Sequence, residues 1–200
     1  MALKQLDPAT TVEDAYWPPP QGEWTYEDYA RLPDNGFRYE VIRGELYMSP
    51  APSVSHQRTV TAFIHHLTNH LNQYQVGECF TSPIDVNLPD LTSPVQPDVV
   101  FVSNDKADII QENTIEGAPD LVIEVLSPGT ARYDRKTKFE TYAQAGVNEY
   151  WLADPNSFII EVYVLRGQAY ALLDKFGRED EARSEVLSGF VVPVKDIFRY

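Results

Sequence analysis

Glu124 is the residue whose type and setting most demand an explanation. It lies inside LVIEVL (residues 121–126), with apolar neighbours on both sides. A strand that is apolar at nearly every position is covered on both faces. Glu124 is therefore expected to be at least half-buried. An unpaired buried carboxylate is costly or stays protonated, so it needs a cation, a metal or hydrogen-bond donors. A strand end that reaches solvent, or one arginine partner, would meet the need without any function. Asp98 opens the preceding apolar run, in Gln96-Pro97-Asp98. Alone it is an ordinary strand-entry residue. Beside Glu124 on a neighbouring strand it would make a two-carboxylate site. Such oxygen donors suit Mg²⁺ or Mn²⁺, which take one or two carboxylates and complete their shells with water and substrate phosphate. Asp85, one strand earlier, is a third candidate, although an alternating strand could equally expose it.

Lys138 follows Asp134 by four residues. On a helix that spacing gives a surface ion pair worth about 0.3–0.5 kcal/mol. The functional alternative is a lysine aimed at the carboxylates, where it would position a water or steady phosphate charge. His56 heads a helical stripe and could contact phosphate or support a carboxylate. His66 and His70 have the i,i+4 spacing of two metal ligands, but no HExxH pattern accompanies them. A metallohydrolase built on that pair would need both rings to face a pocket. His65 falls on the polar side. There is no GxSxG elbow, no GxxxxGK[ST] loop and no GxGxxG fingerprint, so serine-hydrolase, NTPase and dinucleotide readings fall away.

The elements that would carry these residues follow from periodicity. Residues 1–22 are polar and proline-rich and read as a flexible or surface-draped arm; residues 23–200 read as one domain. Thr25 and Asp28 have the spacing of a helix N-cap, with a short helix after them and Pro33 as its stop. FRYEVI and ELYMSP predict a hairpin across Arg43-Gly44. Val60, Phe63, Ile64, Leu67, Leu71 and Tyr74 form one stripe of a helix over 55–74, with Gly77 as the expected end. Strands are expected at 79–88, 98–102 and 121–126, a helix at 130–145, and a strand at 149–153. A second hairpin is expected around Arg166-Gly167-Gln168, and a last strand and short turn after Val186. The order helix, three strands, helix, strand, with hairpins at both ends, describes an α/β (α+β) domain around a mixed sheet.

Composition limits the partners. Sixteen basic residues against 30 acidic give a net charge of −14, which disfavours a non-specific nucleic-acid binder. The distribution is uneven. No acid occurs between Leu46 and Gly77, where all four histidines fall, and Arg132, Arg135, Lys136 and Lys138 cluster around Asp134. These two segments could approach a polyanion. The single cysteine, Cys79, excludes an in-chain disulfide, and a reducing cytoplasm is expected. No apolar run approaches the ~20 residues of a membrane span.

Five segments, in order, resemble a known family: YEVIRGELYMSPAPSVSH, SPIDVNL, VQPDVVFVS, EGAPDLVIEVLSP and DRKTKFETYAQAGVNEYWLADP. They are similar to the Uma-two family, restriction-endonuclease-like proteins of the PD-(D/E)XK nuclease superfamily, from about Thr25 onward. The resemblance implies a restriction-endonuclease-like core in the element order read above. It maps the PD motif onto Pro97-Asp98 and the (D/E)xK carboxylate onto Glu124. The usual lysine position holds Leu126, and the family pattern offers Lys138 on the following helix instead. The superfamily's glutamate on the first core helix is missing, since 55–74 contains no acid. Glu45 or Glu40 on the hairpin would replace it. The two are expected to point to opposite faces, and Glu45 is favoured.

The resemblance thus implies a Mg²⁺- or Mn²⁺-dependent endodeoxyribonuclease acting on DNA. Asp98 and Glu124 would hold the metal, Lys138 would orient water, and Glu45, His56 and Asp85 would support them. A homodimer stays open, because many nucleases need two subunits to cut both strands. The alternative is a catalytically inactive module of the same fold that binds DNA or a protein partner, which the charge of −14 and the missing strand lysine favour.

Overall fold

The computed structural model describes residues 17–199, apart from 34, 50 and 89–92. Most of the expected arm lies outside the described residues. Its last part is draped over the first hairpin: the Gln21 side chain accepts from Leu46 N (2.6 Å) and donates to Leu46 O (3.0 Å), and Gly22 N donates to Gly44 O.

A six-stranded mixed sheet organises the chain. Its strands are β3 (Gly77–Thr81), β6 (Val99–Ser103), β8 (Leu121–Val125), β9 (Glu149–Asp154), β10 (Ile159–Arg166) and β11 (Ala169–Phe176). They lie in the order β11-β10-β9-β8-β6-β3, with β8–β9 the parallel pair and the others antiparallel. The central strands are buried along their length, which explains their continuous apolar runs.

Alternation sorts the side chains into two layers. Odd-numbered residues of β6 and β8 (Val99, Phe101, Leu121, Ile123, Val125) pack with Trp151 against α2 (Val54–Tyr74) and the C-terminal segment. On α2, Val60, Phe63, Leu67 and Leu71 form the buried stripe. Fully buried Phe63 and Leu67 each contribute about 1.5–3 kcal/mol through burial. Even-numbered residues (Val100, Val102, Val122, Leu126) face the opposite layer, with Tyr142, Tyr150 and Leu152. Glu124 and Asp98 have the parity of that second layer.

The second layer contains the hairpin β1 (Arg38–Ile42) and β2 (Glu45–Ser49). It also holds a three-stranded sheet of β4 (Asp85–Leu88), β5 (Ser93–Val95) and β7 (Thr114–Glu116). The short helix α1 is Tyr26–Ala30, and Thr25 and Asp28 close a reciprocal capping box at its start. The second expected helix is not uniform. Ala131–Tyr133 (α3) is α-helical, Asp134–Lys138 widens into a π turn, and Phe139–Ala145 (α4) is α-helical again. The chain ends in β12 (Glu181–Arg183), β13 (Val191–Pro193) and α5 (Val194–Ile197).

Several expectations need correction. The single strand over 79–88 is two strands in different sheets, because Pro83 has no N–H to donate to a ladder. Helix α2 stops at Gln75, not Gly77: Gln75 takes the left-handed conformation (φ 52°) and its N–H closes on Leu71 O. Tyr74 ends the apolar stripe in solvent, 54% exposed. Strands β5, β7 and β12, three residues each, fall below what periodicity can detect. Among the described residues no helix is long and apolar enough to cross a membrane.

Candidate active site

The β6–β8 register pairs Val99 with Ile123 and Val100 with Val122. Extended by one step, it sets Asp98 opposite Glu124. The Asp98 side chain continues the ladder, since its Oδ2 accepts from Val125 N at 2.9 Å. The same oxygen lies 3.0 Å from His56 Nε2. His56 reaches it because Ser53 caps α2 through His56 N, which fixes the first turn of the helix over the end of the sheet.

Glu124, 2% exposed, receives two donors on one oxygen. Lys138 Nζ and Tyr142 Oη both donate to Oε1, at 2.8 and 2.9 Å. Lys138, also 2% exposed, lies 2.9 Å from Glu40 Oε1 and 3.9 Å from Asp134 Oδ1. Glu40 in turn accepts from Gln96 N at 2.9 Å. The π turn lets Asp134 and Lys138 both be buried, and single π turns within helices recur at functional sites. The turn is pinned by Tyr150, whose hydroxyl donates to Asp134 O at 3.2 Å.

These groups line one cleft of about 320 Å³, which includes Glu40, His56, Asp98, Glu124, Asp134 and Lys138. Four carboxylates therefore share a buried space with one lysine and one histidine. The electrostatics follow from that imbalance. Burial pushes the Glu124 carboxyl up to about 8, against the pull of Lys138 and with the push of Asp98, Asp134 and Glu40. Asp134 is raised to about 6, again mainly by burial. Burial would discharge Lys138, but Glu124, Glu40 and Asp134 outweigh it and hold the ammonium well above its ordinary value. Lys138 is thus a fixed positive charge.

The donor set fits a hard divalent cation. It is all oxygen at its centre and carries surplus negative charge, with both recorded hydrogen bonds of Glu124 on a single oxygen. Among the described residues no group of three or more His, Cys, Asp or Glu side chains is placed to hold a metal ion. Two protein carboxylates with the remaining positions left to water and phosphate is the arrangement Mg²⁺ commonly uses.

The structure brings Asp98, Glu124, Lys138 and His56 together. It does not bring Glu45 or Asp85 into the cleft. Glu45 is exposed and accepts from Tyr47 Oη at 2.7 Å. The expectation of opposite faces also fails, because Glu40 pairs with Tyr47 and Ile42 with Glu45. Direct partners share a face, so Glu40 and Glu45 lie on the same one. What separates them is position along the hairpin, roughly 7 Å, with Glu45 at the turn. Asp85 instead accepts from Tyr29 Oη and Gln96 Nε2, at 2.8 and 2.9 Å. His66 and His70 do not form a site: His66 lines a different groove, and His70 packs on Phe190 and Tyr74.

Sequence reading did not single out Tyr142 or Gln96, and took Asp134 only as an ion-pair partner. Tyr142 had a signal, being one helical turn beyond Lys138. Gln96 acts through its backbone N–H, which no sequence pattern reveals.

A family described as "Putative restriction endonuclease" (Uma2) matches residues 26–195 of the chain. An uncharacterised protein of Synechocystis is 31% identical over 133 residues, covering 63% of this chain. The alignment spans 65% of that relative's own length. The crystal structure of a protein from Anabaena variabilis, described as "a putative nuclease belonging to DUF820", superimposes with a TM-score of 0.72 at 19% identity. That superposition covers 88% of this chain and 98% of the other. At that identity it establishes a shared fold.

Proposed function

Because the chain belongs to the Uma2 family of restriction-endonuclease-like proteins, we propose that it hydrolyses DNA phosphodiester bonds with a divalent cation, Mg²⁺ or Mn²⁺, at the cleft just described. The observation that carries this reading is Asp98 opposed to Glu124 on adjacent strands, with the Lys138 ammonium 2.8 Å from Glu124.

Asp98 and Glu124 would hold the cation. When bound, it would supply Lewis acidity at the scissile phosphate and lower the pKa of a coordinated water. The chain's own residues do the rest. Lys138 keeps a positive charge beside the reacting centre and orients an attacking water or steadies phosphate charge. Glu40 and Asp134 hold Lys138 in place, and Tyr142 fixes the Glu124 carboxylate. His56 sets the Asp98 side chain from the opposite layer.

Calorimetric titration of Mg²⁺ and Mn²⁺ into the wild type and Glu124→Gln tests the metal site. Cleavage of DNA by the same two proteins tests the reaction. The expected result is binding and cleavage in the wild type and neither in the variant, with the fold retained. Wild-type cleavage by Glu124→Gln would overturn the assignment. A wild type that neither binds metal nor cuts any DNA would make this a non-catalytic module of the same fold.

A further inference from the structure

Three depressions meet at Pro52. The first is the carboxylate cleft. The second, about 580 Å³, shares Ala51 and Pro52 with it and is walled by Tyr29, Phe37 and Tyr39, with the amides of Gln57 and Gln96. The third, about 560 Å³, lies beyond Gln57 and carries Arg58, His65 and Arg199 beside Asp196. Among the described residues no side chain lining the second is charged, in a chain of net charge −14.

The aromatic walls are held in place. Tyr29 Oη donates to Asp85 and accepts from Gln96 Nε2 at 3.0 Å, and Tyr39 Oη exchanges hydrogen bonds with Asn35 at 2.8 and 3.1 Å. Phe37 is 47% exposed. Gln96 joins the two depressions physically: its side chain lines the groove while its backbone N–H holds Glu40 in the cleft. Asp85 thereby gains a role, as the anchor of the groove rather than a member of the site.

We infer that this groove receives unpaired bases of the DNA strand whose phosphodiester enters the cleft, so that the substrate is single-stranded or frayed DNA and not intact duplex. Exposed ring faces can stack only on bases whose own faces are uncovered, and such stacking tolerates any sequence. The amides of Gln57 and Gln96 match base edges, and the third depression adds Arg58 beside an Arg199 that Asp196 pairs at 3.4 Å. Charge points the same way. A duplex brings a phosphate per ~1.7 Å of axis and a single strand one per ~3.4 Å, so an acidic protein repels the duplex more. The inference rests on the nuclease reading only for what happens in the cleft.

Binding of a fluorescent oligonucleotide, measured by anisotropy in EDTA at neutral pH, tests it without cleavage. The probes are a single strand, its duplex, and a chain of equal charge that lacks bases. The single strand should bind at least tenfold tighter than either other probe. Phe37→Ala should weaken the single strand by about tenfold, the size of one lost base–aromatic stack, and Phe37→Trp should restore it. Equal affinity for duplex or for the base-free chain, no effect of Phe37→Ala, or no binding at all would each overturn the inference. Stacking without metal-dependent cleavage would leave it standing and remove the nuclease reading. Equal binding and cutting of duplex and single strand would do the reverse.

Discussion

Glu124 and Glu149 are acids on neighbouring strands of one sheet, equally buried, and their partners differ in kind. Glu149 begins β9, paired with Leu121, while Glu124 lies near the end of β8, paired with Leu152. Both Glu149 oxygens are saturated by neutral donors: Trp151 Nε1 at 2.6 Å on one, Glu185 N and Val186 N at 2.7 and 3.1 Å on the other. That carboxylate ties the C-terminal segment to the sheet. Glu124 has both its donors on one oxygen, and its lysine is shared with Glu40 and Asp134. Burial alone therefore does not mark a functional acid. Glu124 differs from Glu149 in the surplus charge around its shared lysine and in its place at the wall of a cleft.

Substitutions at the two ends should separate these roles. Glu124→Gln should cut metal-dependent cleavage by roughly a thousandfold, the several kcal/mol that a metal contributes, with little change in thermal unfolding. Glu149→Ala should do the opposite. It leaves an indole N–H and two backbone N–H groups without their acceptor, for a loss of about 3 kcal/mol in denaturant unfolding, while cleavage per folded molecule stays at the wild-type level. Lys138→Met belongs to both classes. It strands buried carboxylates, so it should cost about 3–5 kcal/mol and also abolish cleavage. A variant that folds normally would show that Glu124 keeps a proton when Lys138 is gone.

A third buried acid, Glu161, sharpens the contrast through pH. Burial would raise its carboxyl, but hydrogen bonds from Lys175, Arg135 and Tyr163 outweigh burial and hold it below its ordinary value. A depressed folded pKa contributes stability above the unfolded pKa and loses it as pH falls through the folded one. Glu161→Gln should thus be about 1–2 kcal/mol less stable than wild type at neutral pH. The difference should vanish in acid, as measured by urea unfolding across pH. The smallest effect is expected at Glu45. Glu45→Gln should change neither cleavage nor stability beyond about 0.5 kcal/mol, whereas Glu40→Gln should slow cleavage by loosening Lys138.

The order of elements was legible in the sequence because it rests on local periodicity. The stripe on α2 and the unbroken runs of β6 and β8 report burial on one face or two, wherever the rest of the chain lies. Glu124 was singled out for a related reason: a carboxylate within a continuous apolar run is costly unless partnered, and that cost is written in the run itself, whereas Asp98 only opens its run and became a candidate beside Glu124. The choice between Glu40 and Glu45 was not legible. Both sit on the same hairpin face, and only the docking of the hairpin over the π turn buries one and leaves the other at the turn. Asp85 was misassigned for the same reason, since Pro83 diverts its strand into another sheet. The π turn, the shared oxygen of Glu124 and the meeting of three depressions at Pro52 depend on residues far apart in the chain. Local pattern carries burial and period; which side chains converge is set by packing between elements, and no single segment encodes it.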